Sequence, residues 1–441
     1  MSTNLPPILD ENPPSVLPKK RYHDLDALRA FAMLFGIVLH GLLSFAPNLP
    51  WTSQDIHQSE AYGIGFAAIH GFRMPLFFLV SGFFTTMMWR RRGFEGLFKH
   101  RMQRIVLPMV IFGAFLVPAI MIVGGVAGAK QAQMYRDGEL TVAQAATQSE
   151  QAPELPSLGL VLEQLPEWMM WTIVVFCMLP VFHHMWFLYY LIWLVVGFMG
   201  VAWIAQKLKL KAVPGWFIAS PYRLLWLLPA TFIPQALMTM SFGADTAIGI
   251  VPWPPKMLYY AIFFGFGAVC FGREEFEEKV GRLWPMCLGL AVPAFILAYY
   301  LFTVRTSTYA AGFAENQAQI IQSHLLCTAF TVTYTWLTIF GLIGFFRAYC
   351  SGENPRIRYF SDASYWLYLM HLPIIMGLQT WVSDWQYPSA IKFIGICAVT
   401  TGILLVLYEI MVRYTWIGTM LNGKKTRKRT PPPLPDIAAA G

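Results

Sequence analysis

Long apolar runs, separated by short polar stretches, follow one another along most of this 441-residue chain. A helix crosses the hydrocarbon core of a bilayer with about 20 mostly apolar residues, so each long run predicts a membrane-spanning helix. An even number of crossings places both ends of the chain on the same side of the membrane. We predict an all-α polytopic membrane protein with about ten transmembrane helices, over residues 27–46, 62–88, 105–127, 185–205, 223–241, 256–272, 284–303, 323–346, 363–382 and 390–412.

A further apolar segment, residues 168–182, is only about 15 residues long and therefore short for a crossing. We interpret it as re-entrant or interfacial, because Trp168 and Trp171 suit the headgroup level of a membrane. It ends a large predicted external loop, residues 129–182. The predicted organisation is a disordered cytoplasmic N-tail, a transmembrane domain and a basic, Pro-rich cytoplasmic C-tail, over residues 1–20, 21–412 and 413–441.

The composition agrees with a membrane protein and excludes an ordinary soluble domain. Hydrophobic residues make up 56% of the chain and charged residues only 13%, against about 25% charged residues in soluble domains. The net charge of +8 follows the predicted topology, since 26 of the 32 Lys and Arg residues lie in stretches predicted to be cytoplasmic. The basic residues form no nucleic-acid footprint, so no nucleic-acid partner is expected.

The cysteines lie in or beside apolar runs and show neither a CxxC pair nor a His/Cys metal spacing. We expect small buried side chains, no disulfide framework and no metal site. No nucleophile elbow, HExxH, Walker loop or GxGxxG motif occurs in the context that its chemistry requires. The six residues are Cys177, Cys270, Cys287, Cys327, Cys350 and Cys397.

The first predicted span carries Arg29 and His40, and ionisable groups inside a membrane are costly enough to mark candidate functional sites. At ~100° per residue their spacing makes about three turns, so both project from one helix face, ~16 Å apart along the axis. Asp26 is placed to pair with Arg29. We predict that Arg29 meets a phosphate at the cytoplasmic mouth and that neutral His40 acts as a general base on a hydroxyl. The alternative for His40 is a packing histidine bonded to a backbone carbonyl.

The second predicted span reads IHGFRMPLFFLVSGFF over residues 69–84. An arginine at mid-membrane costs ~2.5–3.5 kcal/mol on insertion scales, so Arg73 requires a partner or a wet cavity. His70 is three residues away on the same face, and both are candidate catalytic residues at a depth similar to that of His40. The alternative for Arg73 is a structural bond or snorkelling. Ser81 and Gly82 are expected to serve helix packing.

Arg101 and Arg104 are one turn apart at the start of the third predicted span. Such a pair can clamp a phosphate, because guanidinium groups bind phosphate through two parallel hydrogen bonds. The alternative is the ordinary positive charge of a cytoplasmic loop. The chemistry of the pair matches that of Arg29, so the three arginines are candidates for one phosphate-binding site.

Two later segments carry candidate acceptor-binding residues. His184 and Trp186 open the fourth predicted span on the external side, where rings and imidazoles can stack on and hydrogen-bond a sugar. The alternative for Trp186 is an interfacial aromatic belt. His371 lies about halfway across the ninth predicted span.

These motifs together resemble the integral-membrane acyltransferase-3 family, over residues 21–412, and most closely its glucan-succinylating branch. The Arg-x10-His signature of the family matches Arg29 and His40, and its Arg-x-x-Arg motif matches Arg101 and Arg104. The branch is similar to this chain in three further segments, IHGFRMPLFFLVSGFF, HMWFLYYL and ASYWLYLMHLP, of which the second departs from the more usual HLWFL.

The resemblance implies a ten-helix, multi-pass protein of the bacterial inner membrane that O-acylates an extracytoplasmic carbohydrate. It implies that His40 is the catalytic residue and that Arg29, Arg101 and Arg104 serve the CoA of a cytosolic acyl-CoA. No bound cofactor is expected. The expected partners are succinyl-CoA or acetyl-CoA as co-substrate, a periplasmic glucan or other glycan, and membrane lipid.

Other functions fit part of the same pattern. A transporter or flippase of an anionic or glycan substrate also carries buried His and Arg residues, although no internal repeat is visible in this sequence. A membrane-bound receptor or assembly factor predicts no dependence on His40 or Arg29. Within the enzyme hypothesis, His40 acts either as a general base or through an acylated histidine, with His70, Arg73 or His371 stabilising the oxyanion.

Overall fold

The computed structural model describes residues 21–47, 49–140, 182–211, 213–219, 222–238, 242–246 and 249–423, together with Pro166. Within these residues the regular structure is helical, and no strand occurs among them. Short helical elements lie between the longer ones, at Met102–Val106, His183–Met185, Trp216–Ala219 and Glu274–Lys279, and two more, Tyr408–Val412 and Trp416–Asn422, follow the last long helix. The long helices are α1 His23–Leu42, α2 Glu60–Arg101, α3 Leu107–Arg136, α4 Trp186–Lys207, α5 Arg223–Ala236, α6 Pro254–Cys270, α7 Trp284–Ala310, α8 Phe313–Cys350, α9 Pro355–Val382 and α10 Ser389–Leu407.

Each predicted span overlaps one of these long helices, which confirms the all-α class. The helices α5 and α6, of 14 and 17 residues, are the shortest of them. The number of crossings and the side on which the two ends lie stay predictions. Among the described residues, six helical segments are long and apolar enough to cross a membrane: His23–Leu42, Glu60–Arg136, His183–Lys207, Trp284–Ala310, Glu315–Cys350 and Ser389–Val412.

Several predictions fall on parts of the chain outside the described residues. They concern the N-tail, residues 424–441 of the C-tail, most of the external loop with Trp168 and Trp171, and Cys177. The remaining cysteines are free and buried or half-buried, as predicted: Cys270, Cys287, Cys327, Cys350 and Cys397.

Helix α1 lies at the centre of the packing and contacts α2, α8, α9 and α10. In turn α9 packs against α3 and α10, and α2 packs against α4 and α6. At one end of the bundle, which we call the His40 end, lie the last residues of α1, α3 and α9 (Leu42, Arg136 and Val382) and the starts of α2 and α10. At the opposite end, which we call the Arg29 end, lie the starts of α1, α3 and α9 and the end of α2.

The closest approach of α2 and α6 depends on glycine. A Cβ added at Gly82 would overlap the carbonyl of Phe264, and one added at Gly267 would overlap the carbonyl of Leu79. Apolar side chains gain little by leaving lipid, so helices in membranes associate through such close backbone contacts. The contact at Gly82 confirms the packing role predicted for this position.

Candidate active site

Three histidines from separate elements meet inside the bundle. His40 lies near the end of α1, His371 in the middle of α9, and His184 in the short turn before α4. The ring of His371 lies 5.2 Å from that of His40 and 5.1 Å from that of His184, measured between ring centroids. His371 and His184 are buried, at 2% and 7% exposure, whereas His40 is half-buried. We call these three residues the histidine cluster.

Backbone carbonyls fix which ring nitrogens of the cluster carry a proton. Nδ1 of His371 lies 2.7 Å from the carbonyl oxygen of Tyr368, and Nε2 of His184 lies 2.9 Å from that of Leu369. A carbonyl only accepts, so both ring nitrogens donate. Three buried ring nitrogens have no partner among the described residues: His371 Nε2, His184 Nδ1 and His40 Nδ1. Each buried polar atom without a partner costs free energy, so these three nitrogens can gain by binding a polar group of a substrate.

Arg73 projects from α2 toward α1. The position that a Cβ on Gly36 would take lies 2.5 Å from Nη1 of Arg73, so the guanidinium rests directly on the glycine backbone. Within the described part of the chain its one hydrogen-bond acceptor is the sulfur of Met74, at 3.3 Å from Nη2. A thioether is a weak acceptor, so the charge of Arg73 is poorly compensated. Arg73 can therefore receive a negatively charged group of a substrate.

A small cavity, with room for about one water molecule, lies beside this guanidinium. Side chains of α1, α2, α4 and α9 line it, among them Met33, Arg73 and Tyr368. Met33 is one turn from Arg29 and two turns from His40 on the same face of α1. The face predicted to connect these two residues thus borders empty space in its middle.

His70 is held by a contact from a distant part of the chain, and its predicted role with Arg73 stays a prediction. Nε2 of His70 lies 2.9 Å from the carbonyl oxygen of Ala244, and its ring stacks on Phe66 at 5.2 Å. Spacing on one helix predicted the shared face. Spacing on one helix cannot show that the segment 242–246, from a distant part of the chain, hydrogen-bonds the imidazole.

At the Arg29 end, two of the three predicted phosphate-binding arginines converge on α2. The guanidinium of Arg29 lies 5.5 Å from the ring centroid of Phe84, and Nη2 of Arg101 donates to Oγ1 of Thr85 at 2.6 Å. Arg29 Nη2 is 3.6 Å from the carboxylate of Asp26, as the spacing predicted. This pair is partly solvent-exposed, so it contributes little to stability and leaves Arg29 available for an anion.

Arg104 has contacts of its own. A Cβ added at Gly423 would lie 2.9 Å from its Nη2, so its guanidinium faces the end of the short helix Trp416–Asn422. The hydroxyl of Tyr365 donates to the carbonyl of Arg104 at 3.0 Å. The turn between Arg101 and Arg104 is π-helical, with more residues per turn than the predicted α-helix.

Trp186 occupies the core, which corrects both interpretations of this residue. It is 8% exposed, and its ring packs against those of Tyr190 and Tyr260 at 5.7 and 5.6 Å. Stacking on a sugar and anchoring at a membrane interface both require an accessible ring. His184, its neighbour but one, does reach the histidine cluster.

Sequence reasoning missed two further residues beside His40. Trp51, in the segment between α1 and α2, stacks over the His40 ring at 5.9 Å, and its Nε1 donates to Oε1 of Gln379 at 2.8 Å. Gln379 lies two turns beyond His371 on α9 and is fully buried. That spacing on a helix already carrying a candidate histidine was the available signal.

The comparison with protein families identifies the class of this protein. The model of the acyltransferase domain of the acyltransferase-3 family matches residues 22–409. The chain belongs to this family and is a membrane acyltransferase. The enzyme hypothesis therefore replaces the transporter and receptor alternatives.

Among characterised relatives, this chain is similar to the glucans biosynthesis protein C of Salmonella paratyphi B, Salmonella enteritidis and Salmonella choleraesuis. Each is 24% identical to it over 439 residues, which cover 94% of this chain and 98% of the relative. No solved structure matches the chain.

Proposed function

We propose that this acyltransferase moves an acyl group, succinyl or acetyl, from cytosolic acyl-CoA to a hydroxyl of a periplasmic glucan. The observation that carries the proposal is the position of His40, in a buried imidazole cluster at the far end of the α1 face from Arg29. The chain then lies in the bacterial inner membrane as a multi-pass protein with both ends in the cytoplasm. The name of the Salmonella relatives supports a glucan as acceptor.

The donor enters at the Arg29 end. Phosphates of CoA bind Arg29 and Arg101, whose guanidinium groups converge near Phe84 and Thr85, and charge-assisted hydrogen bonds to phosphate are strong. Arg104, beside Gly423, extends this basic surface. The pantetheine arm follows the α1 face past Met33, where the small cavity marks loose packing between α1 and α2. Arg29 and His40 are ~16 Å apart along the helix, so an arm that binds at one residue presents its thioester to the other.

His40 then acts as a general base on the acceptor hydroxyl. The hydroxyl oxygen attacks the thioester carbon, its proton passes to His40, and CoA leaves as a thiolate that takes up a proton. Arg73 stabilises the oxyanion, because its charge is poorly compensated in the absence of substrate. A relayed acyl-histidine is the alternative route. The donating Nδ1 of His371 is held by Tyr368, which orients this ring toward His40.

The test uses inverted inner-membrane vesicles that contain unacylated periplasmic glucan and receive acyl-CoA labelled in its acyl group. We expect label in the glucan with the wild-type protein and a loss of ~10²–10⁴-fold with His40→Ala, the range for removal of a general base. His324→Gln is the matched control, because His324 bonds Arg305 and Ala236 away from the cluster. Acylation by His40→Ala at the wild-type rate, with equal protein in the membrane, would refute the proposal. Succinyl-CoA and acetyl-CoA are compared in parallel.

A further inference from the structure

The segment between α1 and α2, described over residues 43–47 and 49–59, lies at the His40 end beside the histidine cluster. Trp51 from this segment stacks over His40, with ring centroids 5.9 Å apart and planes inclined by 29°. The indole is half-buried, so one part of it faces His40 while another part remains accessible. An acceptor that approaches His40 from this end therefore meets Trp51.

One side chain fixes the indole relative to α1. Gln379 accepts from Nε1 of Trp51 at 2.8 Å and donates through Nε2 to the carbonyls of His40 and Gly41 at 2.9 and 3.2 Å. Those carbonyls belong to the last turn of α1, which has no intrahelical donors for its carbonyls. Both halves of the amide are thus used, and a flipped amide would lose both sets of hydrogen bonds. The indole, the amide and the His40 backbone form one connected unit.

The segment is anchored on both sides of Trp51. The hydroxyl of Ser44 donates to the carbonyl of Ser53 at 2.5 Å, and the amide of Ile56 donates to the carbonyl of Ser383 at 3.1 Å. Asp55 forms an ion pair with Lys392 at 2.6 Å, in which both side chains are almost fully buried. Such contacts hold the indole in place before a ligand arrives, and this preorganisation lowers the entropic cost of binding.

We propose that Trp51 is an acceptor-binding residue on which one sugar ring of the glycan stacks, so that its hydroxyl reaches His40. Gln379 is a positioning residue that sets the indole against the last turn of α1. The apolar C–H face of a sugar packs on a large aromatic surface, and an indole combines that surface with a fixed N–H. This inference rests on the proposed function and adds to it the residue that selects a ring-shaped acceptor.

The test measures steady-state transfer to unacylated periplasmic glucan in the same vesicles, with the acceptor and the donor varied separately. We expect Trp51→Ala to raise the acceptor KM about tenfold or more, while the donor KM stays at its wild-type value. Trp51→Phe, which retains an aromatic surface, recovers most of this loss. Trp381→Ala is the control, since this ring on the same helix as Gln379 is 63% exposed and packs on Trp385.

A double-mutant cycle tests the role of Gln379. Gln379→Leu should raise the acceptor KM in the wild-type background and have little further effect in the Trp51→Ala background, because the two residues act as one unit. An unchanged acceptor KM in Trp51→Ala, equal increases in donor and acceptor KM, or additive effects of the two substitutions would overturn the inference. Such a result would leave the proposed function intact if transfer by the wild-type protein still depends on His40. Failure of the proposed function would appear differently, as no acylated glucan from the wild-type protein.

Discussion

The two ends of the bundle hold their polar groups in opposite ways. At the His40 end, the side chains of Asp55, Lys392 and Gln379 are buried. Asp55 and Lys392 form an ion pair, and Gln379 donates to the carbonyl of His40. At the Arg29 end, the side chain of Arg29 is 37% exposed and its pairing with Asp26 is loose, at 3.6 Å. One end is rigid and locally neutral, and the other carries excess positive charge.

This difference indicates where the acyl-transfer chemistry takes place and where the donor binds. Proton transfer and acyl transfer need fixed geometry, since a small misplacement costs much of the rate. Binding of a mobile, highly charged donor needs available cations more than rigid ones, because it depends on attraction over a distance. The exposure and pairing of the polar side chains thus separate a reaction end from a binding end. The following predictions test that separation.

The largest expected effect concerns the buried ion pair of the His40 end. Burial raises the pKa of Asp55 above its ordinary value although Lys392 lies 2.6 Å away, so the carboxylate depends strongly on its partner. We expect Lys392→Met to lower the free energy of unfolding by ~3–5 kcal/mol, because it leaves a buried charge uncompensated. Thermal unfolding of the detergent-solubilised protein measures this effect.

The control for this prediction removes both charges. Asp55→Leu combined with Lys392→Met should recover most of the lost stability, since an apolar pair of similar volume avoids desolvation of the two ions. Equal instability of the single and the double variant would show that the pair is not what holds the segment in place.

The next effect concerns Arg73, whose charge lies between the two ends. We expect Arg73→Met to lower kcat for glucan acylation by ~10²–10³-fold, the range for loss of one oxyanion-stabilising group. Stability should stay equal or rise, because removing a poorly paired arginine from the membrane relieves a cost of ~2.5–3.5 kcal/mol. Activity and thermal unfolding are measured on the same preparations.

Arg305→Met provides the contrast for Arg73. Arg305 is buried and donates to Nδ1 of His324 at 2.8 Å, so its loss leaves a polar atom unpaired. We expect a lower free energy of unfolding, by ~1–3 kcal/mol, with unchanged kcat. A loss of stability without a loss of kcat in Arg73→Met would assign Arg73 a structural role instead.

The smallest effect is expected for single arginines of the binding end. Arg29→Gln or Arg101→Gln should each raise the KM for acyl-CoA about tenfold, with kcat less affected, since each contributes a charge-assisted hydrogen bond. The increase for Arg29→Gln should shrink at high ionic strength, because salt screens exposed charges such as that of Arg29. Arg358→Gln is the control, as this exposed arginine pairs with Glu353. An equal increase in the control would mean that net charge alone attracts the donor.

Periodicity predicted correctly the features that depend on one helix. The overlap of every predicted span with a long helix, the pairing of Asp26 with Arg29 and the common face of Arg29 and His40 all follow from helical geometry. The bilayer strengthens such predictions, since a backbone in hydrocarbon must satisfy its own hydrogen bonds and a helix does so locally. The packing role of Gly82 follows from the same reasoning.

Two contacts that the sequence did not predict join residues far apart in the chain. His70 is bound by the carbonyl of Ala244, and Trp186 is enclosed by rings of α4 and α6. The π-helical turn between Arg101 and Arg104 is local, but no hydrophobic period reveals it. Neither Trp51 nor Gln379 is ionisable, so a search for charged groups inside the membrane passed over both.

Sequence patterns were enough to predict a set of apolar helices with Arg29 and His40 on one face of α1. Apolar length, charge bias and helical spacing are properties of single segments, so they can be read without knowledge of the fold. The side chains that complete the site became visible only in the folded chain, since α9 brings His371 and Gln379 to His40 and the segment between α1 and α2 places Trp51 over it. Those contacts arise from the packing of whole helices, and packing is decided by the shapes of all their neighbours together.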